Sequence, residues 1–490
     1  MDESSATPKP RFFTGVGSRE AWESSEQQDS VHAPPARSEG SFTKADARRA
    51  QPVRVSSCRV ALALARPEQN LTRHVNILRD GVPDVRRAAQ GSRTHVQEPR
   101  ARMNLFREAD IEAVRASLAS SKYATGTSTH GFYHYPARFS PEIARAVIET
   151  FSAPNDWILD PFMGGGTTVV EGLALGRRMI GIDINALGHF VAEVRTTPLS
   201  DADKRAIRVW ATRSVDSLLK DTAWVQRLEL ANLPKSVDTF VSGALAFAEE
   251  LRFPRRLSFA RCALLRLGQW ALDCRDFVAP RLARLAEKLP ELIEEMFYGL
   301  DDFVGSCRAA GVPANKITSR RLLRHRSSVG IEKDAAFLAT DASPRLVFTS
   351  PPYAGVHVLY HRWQYRGRKE TAAPYRIANV LDGAGGSFYT AGSRTPTGLK
   401  NYFATITNVF GSVRATMDRR GIVVQLVGFA RASEQLPMYL DAMTQAGFVE
   451  AAGIPDGGLH RRVPNRKWYA KLKGAVDASS EVLLIHRPQG

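Results

Sequence analysis

Cysteine is scarce in this chain. Its four thiols, Cys58, Cys262, Cys274 and Cys307, form no CxxC pair in 490 residues. That spacing suggests neither a zinc knuckle nor an iron–sulfur cluster, and fits reduced core thiols in a cytosolic protein. No His/Cys/Asp spacing resembles a metal site, so no metal is expected. No apolar run approaches the ~20 residues of a membrane helix. The start, MDESSATPKPRFF, lacks the basic-then-apolar order of a secretion signal. A soluble, cytoplasmic protein is expected. Acid is also short of base: 50 Asp and Glu against 67 Lys and Arg leave a formal charge of +17. Such an excess suits a polyanion, because each cation placed on a phosphate releases condensed counterions, although basic tails enrich arginine too.

Residues 1–100 are rich in Ser, Gln, Arg, Pro and Ala, with little apolar periodicity, which predicts a disordered basic extension dispensable for folding. Order is expected from Asn104–Ser120, where Asp110 can cap a helix with Ile111, Val114 and Leu118 on one face. From Trp157 the runs WILDP, MIGIDI, LVFTS, IVVQLVGF and VLLIHR alternate with helical stretches. This implies an α/β fold, a mostly parallel sheet covered on both faces. Residues 201–324 show no strand signal of that kind and predict a helical insertion. The expected division is 1–100, 101–200, 201–324 and 325–490.

The first chemical signal is WILDPFMGGGTTVVEGLALGRRMIGIDIN, Trp157–Asn185. A strand enters a glycine turn, a helix follows, and a second strand ends in an acid. Gly164, Gly165 and Gly166 allow the backbone to approach a ligand. Thr167 and Thr168 open the helix, and Asp183 stands where a carboxylate can accept ribose hydroxyls. A plain structural turn or a nicotinamide-nucleotide site would use similar residues. Asp-Pro-Phe before the glycines argues against the dinucleotide fingerprint, and no Lys-Ser/Thr pair makes a phosphate loop.

DPFMGGGTT resembles the cofactor motif of S-adenosylmethionine-dependent DNA amino-methyltransferases, usually Asp-Pro-Phe-x-Gly-Ser-Gly-Thr-Thr, with Gly165 in place of the usual Ser. Upstream, HGFYHYPARFSPEIARAVIETF (His130–Phe151) is similar to the family segment that closes over the methionine end of the cofactor. The resemblance runs from about Phe132 to Asn185 and resumes near Lys333. It implies a Rossmann-like, doubly wound methyltransferase sheet and S-adenosyl-L-methionine as cofactor. The implied cofactor set is Asp160, Phe162, Gly164, Gly165, Gly166, Thr167, Thr168, Asp183, Asn185 and Asp334, with Asp341 a weaker candidate. His134, His357 and His361 are expected to pack or cap and not to catalyse.

The second signal is LVFTSPPY, Leu346–Tyr353. Pro-Pro would serve as a bare strand terminator. It also suits amine methylation, in which an exocyclic amine is a poor nucleophile because its lone pair is conjugated with the ring. Ser350 and the Pro351 carbonyl can orient that amine, the turn stiffened by Pro352, and Tyr353 can stack on an extruded base. In the resembled family, Ser-Pro-Pro-Tyr is commoner among cytosine-N4 enzymes and Asp/Asn-Pro-Pro-Tyr/Phe among adenine-N6 enzymes. Cytosine N4 is therefore the implied target and adenine N6 the alternative. An RNA base methyltransferase and a non-catalytic DNA-binding relative are further readings.

DNA is the implied partner, with a cognate restriction or defence component as a possible second. Arg362, Arg366 and Arg368 interleave with Trp363 and Tyr365, as cations for phosphates beside aromatics for bases. The weaker alternative reads the aromatics as core under a solvated basic face. Arg466 and Lys467, beside Trp468 and Tyr469, form a second candidate contact. The run Asp382–Gly398, rich in Gly, Ser and Thr, is expected to be a mobile loop. The region 201–324 is the candidate for target recognition.

Overall fold

The computed structural model describes residues 107–120, 128–134, 139–273, 278–354, 363–366, 369–381, 393, 395–429, 431–451, 458–463 and 479–490. The expected extension over 1–100, most of the expected loop 382–398, and Cys58, Cys274, His357 and His361 lie outside them.

Helices α1 (Glu108–Ser120) and α2 (Pro141–Phe151) precede the sheet. Then β1 (Trp157–Asp160), α3 (Thr167–Ala174), β2 (Arg178–Asp183) and α4 (Ala186–Arg195) alternate. Four consecutive helices follow: α5 (Asp201–Lys220), α6 (Lys235–Ala248), α7 (Pro254–Leu272) and α8 (Leu282–Ala309). The chain re-enters the sheet with β3 (Arg321–His325), α9 (Ala335–Leu338) and β4 (Leu346–Thr349). A hairpin of β5 (Trp363–Tyr365) and β6 (Lys369–Thr371) leads to α10 (Ala373–Ala378) and α11 (Pro396–Thr416). Last come β7 (Ile422–Gly428), α12 (Ala432–Gln445), β8 (Phe448–Glu450), β9 (Leu459–Val463) and β10 (Ser479–Pro488).

The sheet order is β3-β2-β1-β4-β7-β10-β8, with β9 also on β10. The strands from β3 to β7 are parallel, and β10 runs antiparallel to its neighbours. From β1 the chain moves outward to β2 and β3; from β4 it moves the other way to β7. That reversal opens a crevice outside the carboxyl ends of β1 and β4, where doubly wound sheets bind ligands.

The strands are aliphatic because both faces are covered. Ile158 and Phe348 face a core shared with Val169 of α3, Phe259 and Leu265 of α7 and Phe303 of α8. Their chain neighbours Leu159 and Val347 face the opposite core, with Tyr402 and Phe410 of α11 and Tyr439 of α12. Alternation of period two thus sends adjacent residues to opposite layers.

Two expectations are corrected. The helical region does not run to residue 324, because β3 begins at Arg321 and pairs with β2. The helices of that region share one core with β1, α3 and β4. Asp110 does not cap α1; the helix starts at Glu108, and Asp110 pairs with Arg107 in its first turn. Ile111, Val114 and Leu118 do face inward. Among the described residues no helix is long and apolar enough to cross a membrane.

Candidate active site

The glycine turn is built by its backbone. Gly164 has φ 51° and Gly166 φ 80°, conformations that a Cβ disfavours. A Cβ at Gly166 would also stand 2.7 Å from Ala192 Cβ on α4. Gly165 is not among the positive-φ residues, so the Ser usual in the resembled motif would meet no backbone strain there. Gly164 donates its N–H to Asp183 Oδ2 at 2.7 Å, and Asn185 donates to Oδ1 at 2.8 Å. Asp183 therefore fixes the turn from the end of β2, and burial raises its pKa against those two bonds. Thr167 and Thr168 are buried at the start of α3. Phe162 is half-buried against Phe410, and Ile184, just beyond Asp183, is 40% exposed.

Asp160 lies beneath the turn, buried, and accepts the Thr349 hydroxyl at 2.6 Å and the Phe162 N–H at 3.2 Å. Burial pushes its carboxyl up to about 6, against the pull of the Thr349 bond. Thr349 immediately precedes the tetrapeptide, so this bond ties the end of β1 to the end of β4. Ser350, Pro352 and Tyr353 are half-buried, and Pro351 is buried.

The Tyr353 ring lies against Gly428, where a Cβ would be 2.6 Å from it. Its hydroxyl donates to Glu481 Oε1 at 2.7 Å. Glu481 is buried and stands opposite Gly428 in the β10–β7 register. Sequence reading missed Glu481; its one signal is an acid at the head of the run VLLIHR. It also missed Arg195, which is fully buried at the end of α4 and donates to the carbonyls of Gly165, His130 and Tyr133.

Several other candidates cap helices or lie away from the crevice. Asn185 is buried and caps α4, accepting from Leu187 N–H at 2.8 Å. Asp334 is buried and caps α9 through Oδ1, while Oδ2 receives Arg324 and Arg326 at 2.9 and 2.7 Å. Burial opposes ionisation of Asp334, but the two arginines hold its carboxyl down at about 2. Asp341 binds Trp157 and Arg178, the first residues of β1 and β2, and so lies at the opposite edge of the sheet from the crevice. Trp363 is 1% exposed, packed on Gly268 of α7, and presents no face to a nucleic acid. Arg366 is exposed beside Tyr365. Arg362, Arg368, Arg466 and Lys467 lie outside the described residues. His134 packs, as expected: Arg266 lies against its ring at 3.1 Å, and its backbone is held by Gln269.

The chain carries a doubly wound α/β sheet, with its glycine turn at the switch point. Residues 92–188 match the family model for N6/N4-type DNA methylases, which bears out the resemblance to DNA amino-methyltransferases. The tetrapeptide lies beyond that match. The chain is 42% identical over 74 residues to the Type II methyltransferase M.MvaI of Kocuria varians, covering 14% of this chain and 16% of that protein. It is 38% identical over 78 residues to the Type II methyltransferase M.MjaII of Methanocaldococcus jannaschii, covering 16% and 14%. The matched stretches thus span less than a fifth of these relatives. An rRNA methyltransferase structure, aviRa from Streptomyces viridochromogenes, aligns over 76% of this chain and 92% of its own, at 12% identity and a TM-score of 0.26. The family match implies S-adenosylmethionine as the methyl donor.

Proposed function

We propose that the protein methylates the exocyclic N4 amine of cytosine in DNA, with the base extruded from the duplex into the crevice. One observation carries this reading: the glycine turn and Ser350–Tyr353 stand at the carboxyl ends of adjacent strands and are joined by the Asp160–Thr349 bond.

The turn fits the implied methyl donor. Gly164 and Gly166 bare the backbone, Ile184 offers an apolar surface, and each Asp183 oxygen retains a lone pair beyond its one backbone bond. When bound there, the donor supplies an electrophilic methyl group, so no covalent enzyme intermediate is required. Ser350 Oγ and the Pro351 carbonyl accept the two N–H bonds of the target amine. This turns the nitrogen lone pair out of conjugation and stabilises the positive charge that develops on nitrogen as the neutral thioether leaves, until the nitrogen gives up one proton to water. Tyr353, its hydroxyl anchored on Glu481, offers its ring to the base. Ser350 before Pro-Pro-Tyr favours cytosine.

Purified protein is incubated with DNA and a methyl-labelled donor, and the DNA is digested to nucleosides for mass spectrometry. Labelled N4-methylcytosine is expected. Labelled N6-methyladenine would overturn the choice of base while keeping the class of reaction; no labelled base would overturn both.

A further inference from the structure

Arg195 has no place in the chemistry above, yet it is fully buried and ties the glycine turn to the segment His130–His134. Its guanidinium donates through Nη1 to the Gly165 carbonyl in the glycine turn. Through Nη2 it donates to the carbonyls of Tyr133 and, at 3.1 Å, His130, in the segment facing that turn. Gln269 of α7 holds the same segment from its other side, accepting His134 N–H at 2.8 Å and donating to its carbonyl at 2.9 Å.

The connection continues past the backbone. Tyr133 is 1% exposed, and its hydroxyl accepts the indole N–H of Trp363 at 3.1 Å. Trp363 is seated flush on Gly268, where a Cβ would be 2.3 Å from the ring. It begins β5, the first described element after the catalytic tetrapeptide. Buried hydrogen bonds therefore join the glycine turn to Arg195, Arg195 to the Tyr133 carbonyl, and Trp363 to the Tyr133 hydroxyl, the two ends of Tyr133 being linked covalently through its side chain. Each link is costly to break, because a buried donor that loses its acceptor has no water to replace it.

We infer that Arg195 is a positioning residue that fixes both walls of the cofactor cleft, and that through Tyr133 and Trp363 it makes cofactor binding order the hairpin that follows Ser350–Tyr353. This rests on the proposed function and extends it: the two substrates of that reaction would bind with a coupling carried by named residues. Lysine cannot reproduce the planar fork that reaches three carbonyls at once.

The test uses the full chain with S-adenosylhomocysteine as probe, read by calorimetry and by amide hydrogen exchange. In the parental protein the probe should slow exchange both in Gly164–Thr168 and in β5 and β6. Arg195→Lys should weaken probe binding by on the order of ten-fold or more, the loss of one charge-assisted hydrogen bond. Tyr133→Phe leaves the carbonyl to which Arg195 donates and removes the link to Trp363. It should bind the probe within about two-fold of the parental affinity and protect the glycine turn, yet lose the protection of β5 and β6. Trp363→Phe, which cuts the same link from the other side, should behave likewise. A purely structural role would not separate the two protected segments. Parental affinity in Arg195→Lys, or hairpin protection retained in both Tyr133→Phe and Trp363→Phe, overturns this inference alone. Absence of probe binding to the parental protein overturns the proposed function and this inference with it.

Discussion

The Thr349 hydroxyl donates to Asp160 Oδ1 at 2.6 Å across the junction between β4 and β1. The bond joins the residue before the tetrapeptide to the residue before the Pro-Phe of the glycine turn, two segments 189 residues apart. Its acceptor is a carboxyl that burial has pushed from 3.8 up to about 6. Between about pH 4 and pH 6 the folded state keeps a proton that the unfolded state has lost. Stability must then fall as pH rises through that window and level off above it. At about 1.4 kcal/mol per pH unit the fall is on the order of 3 kcal/mol. Asp160→Asn cannot ionise and should flatten the decline, as followed by denaturant unfolding at several pH values. An unchanged profile would assign it to other groups.

Gly166 and Gly165 should respond oppositely to a side chain. Gly166→Ala meets both an unfavourable φ of 80° and Ala192 at 2.7 Å. It should lose on the order of 1–3 kcal/mol of stability and most of its affinity for S-adenosylhomocysteine. Gly165→Ser restores the usual family residue without backbone strain and should lose clearly less stability than Gly166→Ala. Calorimetry and thermal unfolding of the two variants decide; equal losses would refute the backbone account.

Ser350→Ala should slow single-turnover methyl transfer on the order of 10²-fold, the loss of one positioned acceptor. Its affinity for S-adenosylhomocysteine should stay parental. If transfer proceeds at the parental rate, the tetrapeptide is only a strand terminator.

Tyr353 separates ring from hydroxyl. Tyr353→Ala should abolish stacking and reduce transfer far more than Tyr353→Phe, which loses only the bond to Glu481. Fluorescence of 2-aminopurine at the target position reports base extrusion. An equal effect of the two substitutions would place the role in the hydroxyl and Glu481 instead.

Asp334→Ala removes the cap of α9 and leaves Arg324 and Arg326 without their shared acid. A stability loss of about 1 kcal/mol or more is expected, with probe affinity unchanged. A ten-fold or greater loss of affinity would restore Asp334 to the cofactor site.

The five aliphatic runs that became β1, β2, β4, β7 and β10 were legible because strands buried on both faces must be continuously apolar. The glycine turn was legible because its conformation admits few other residues. β3 was not, since RLLRH mixes cations and leucine in a half-buried strand at the sheet edge. β8 and β9 were missed as short strands lying against β10. The place of Asp183 at a strand end, beside the glycine turn, was readable. Glu481 and Arg195 act through contacts 128 and 30 residues distant in sequence, which no local pattern encodes. Trp363 misled because an aromatic among arginines has the same composition whether it faces a base or a glycine across a helix interface.

The packing of α7 bears on how such a chain can diversify. Gly268 admits Trp363, Phe259 stacks on Phe297 and meets Phe132 edge-on, and Gln269 grips His134. A helical cassette wired in this way is not an exchangeable cartridge. Transplanting it between homologues would break the contacts that seat Trp363, Phe132 and His134 on α7. Drift is freer on the outward sides of α5 and α8, where Val209 and Tyr298 are 67% and 80% exposed, and single substitutions there are the cheaper evolutionary route to new behaviour.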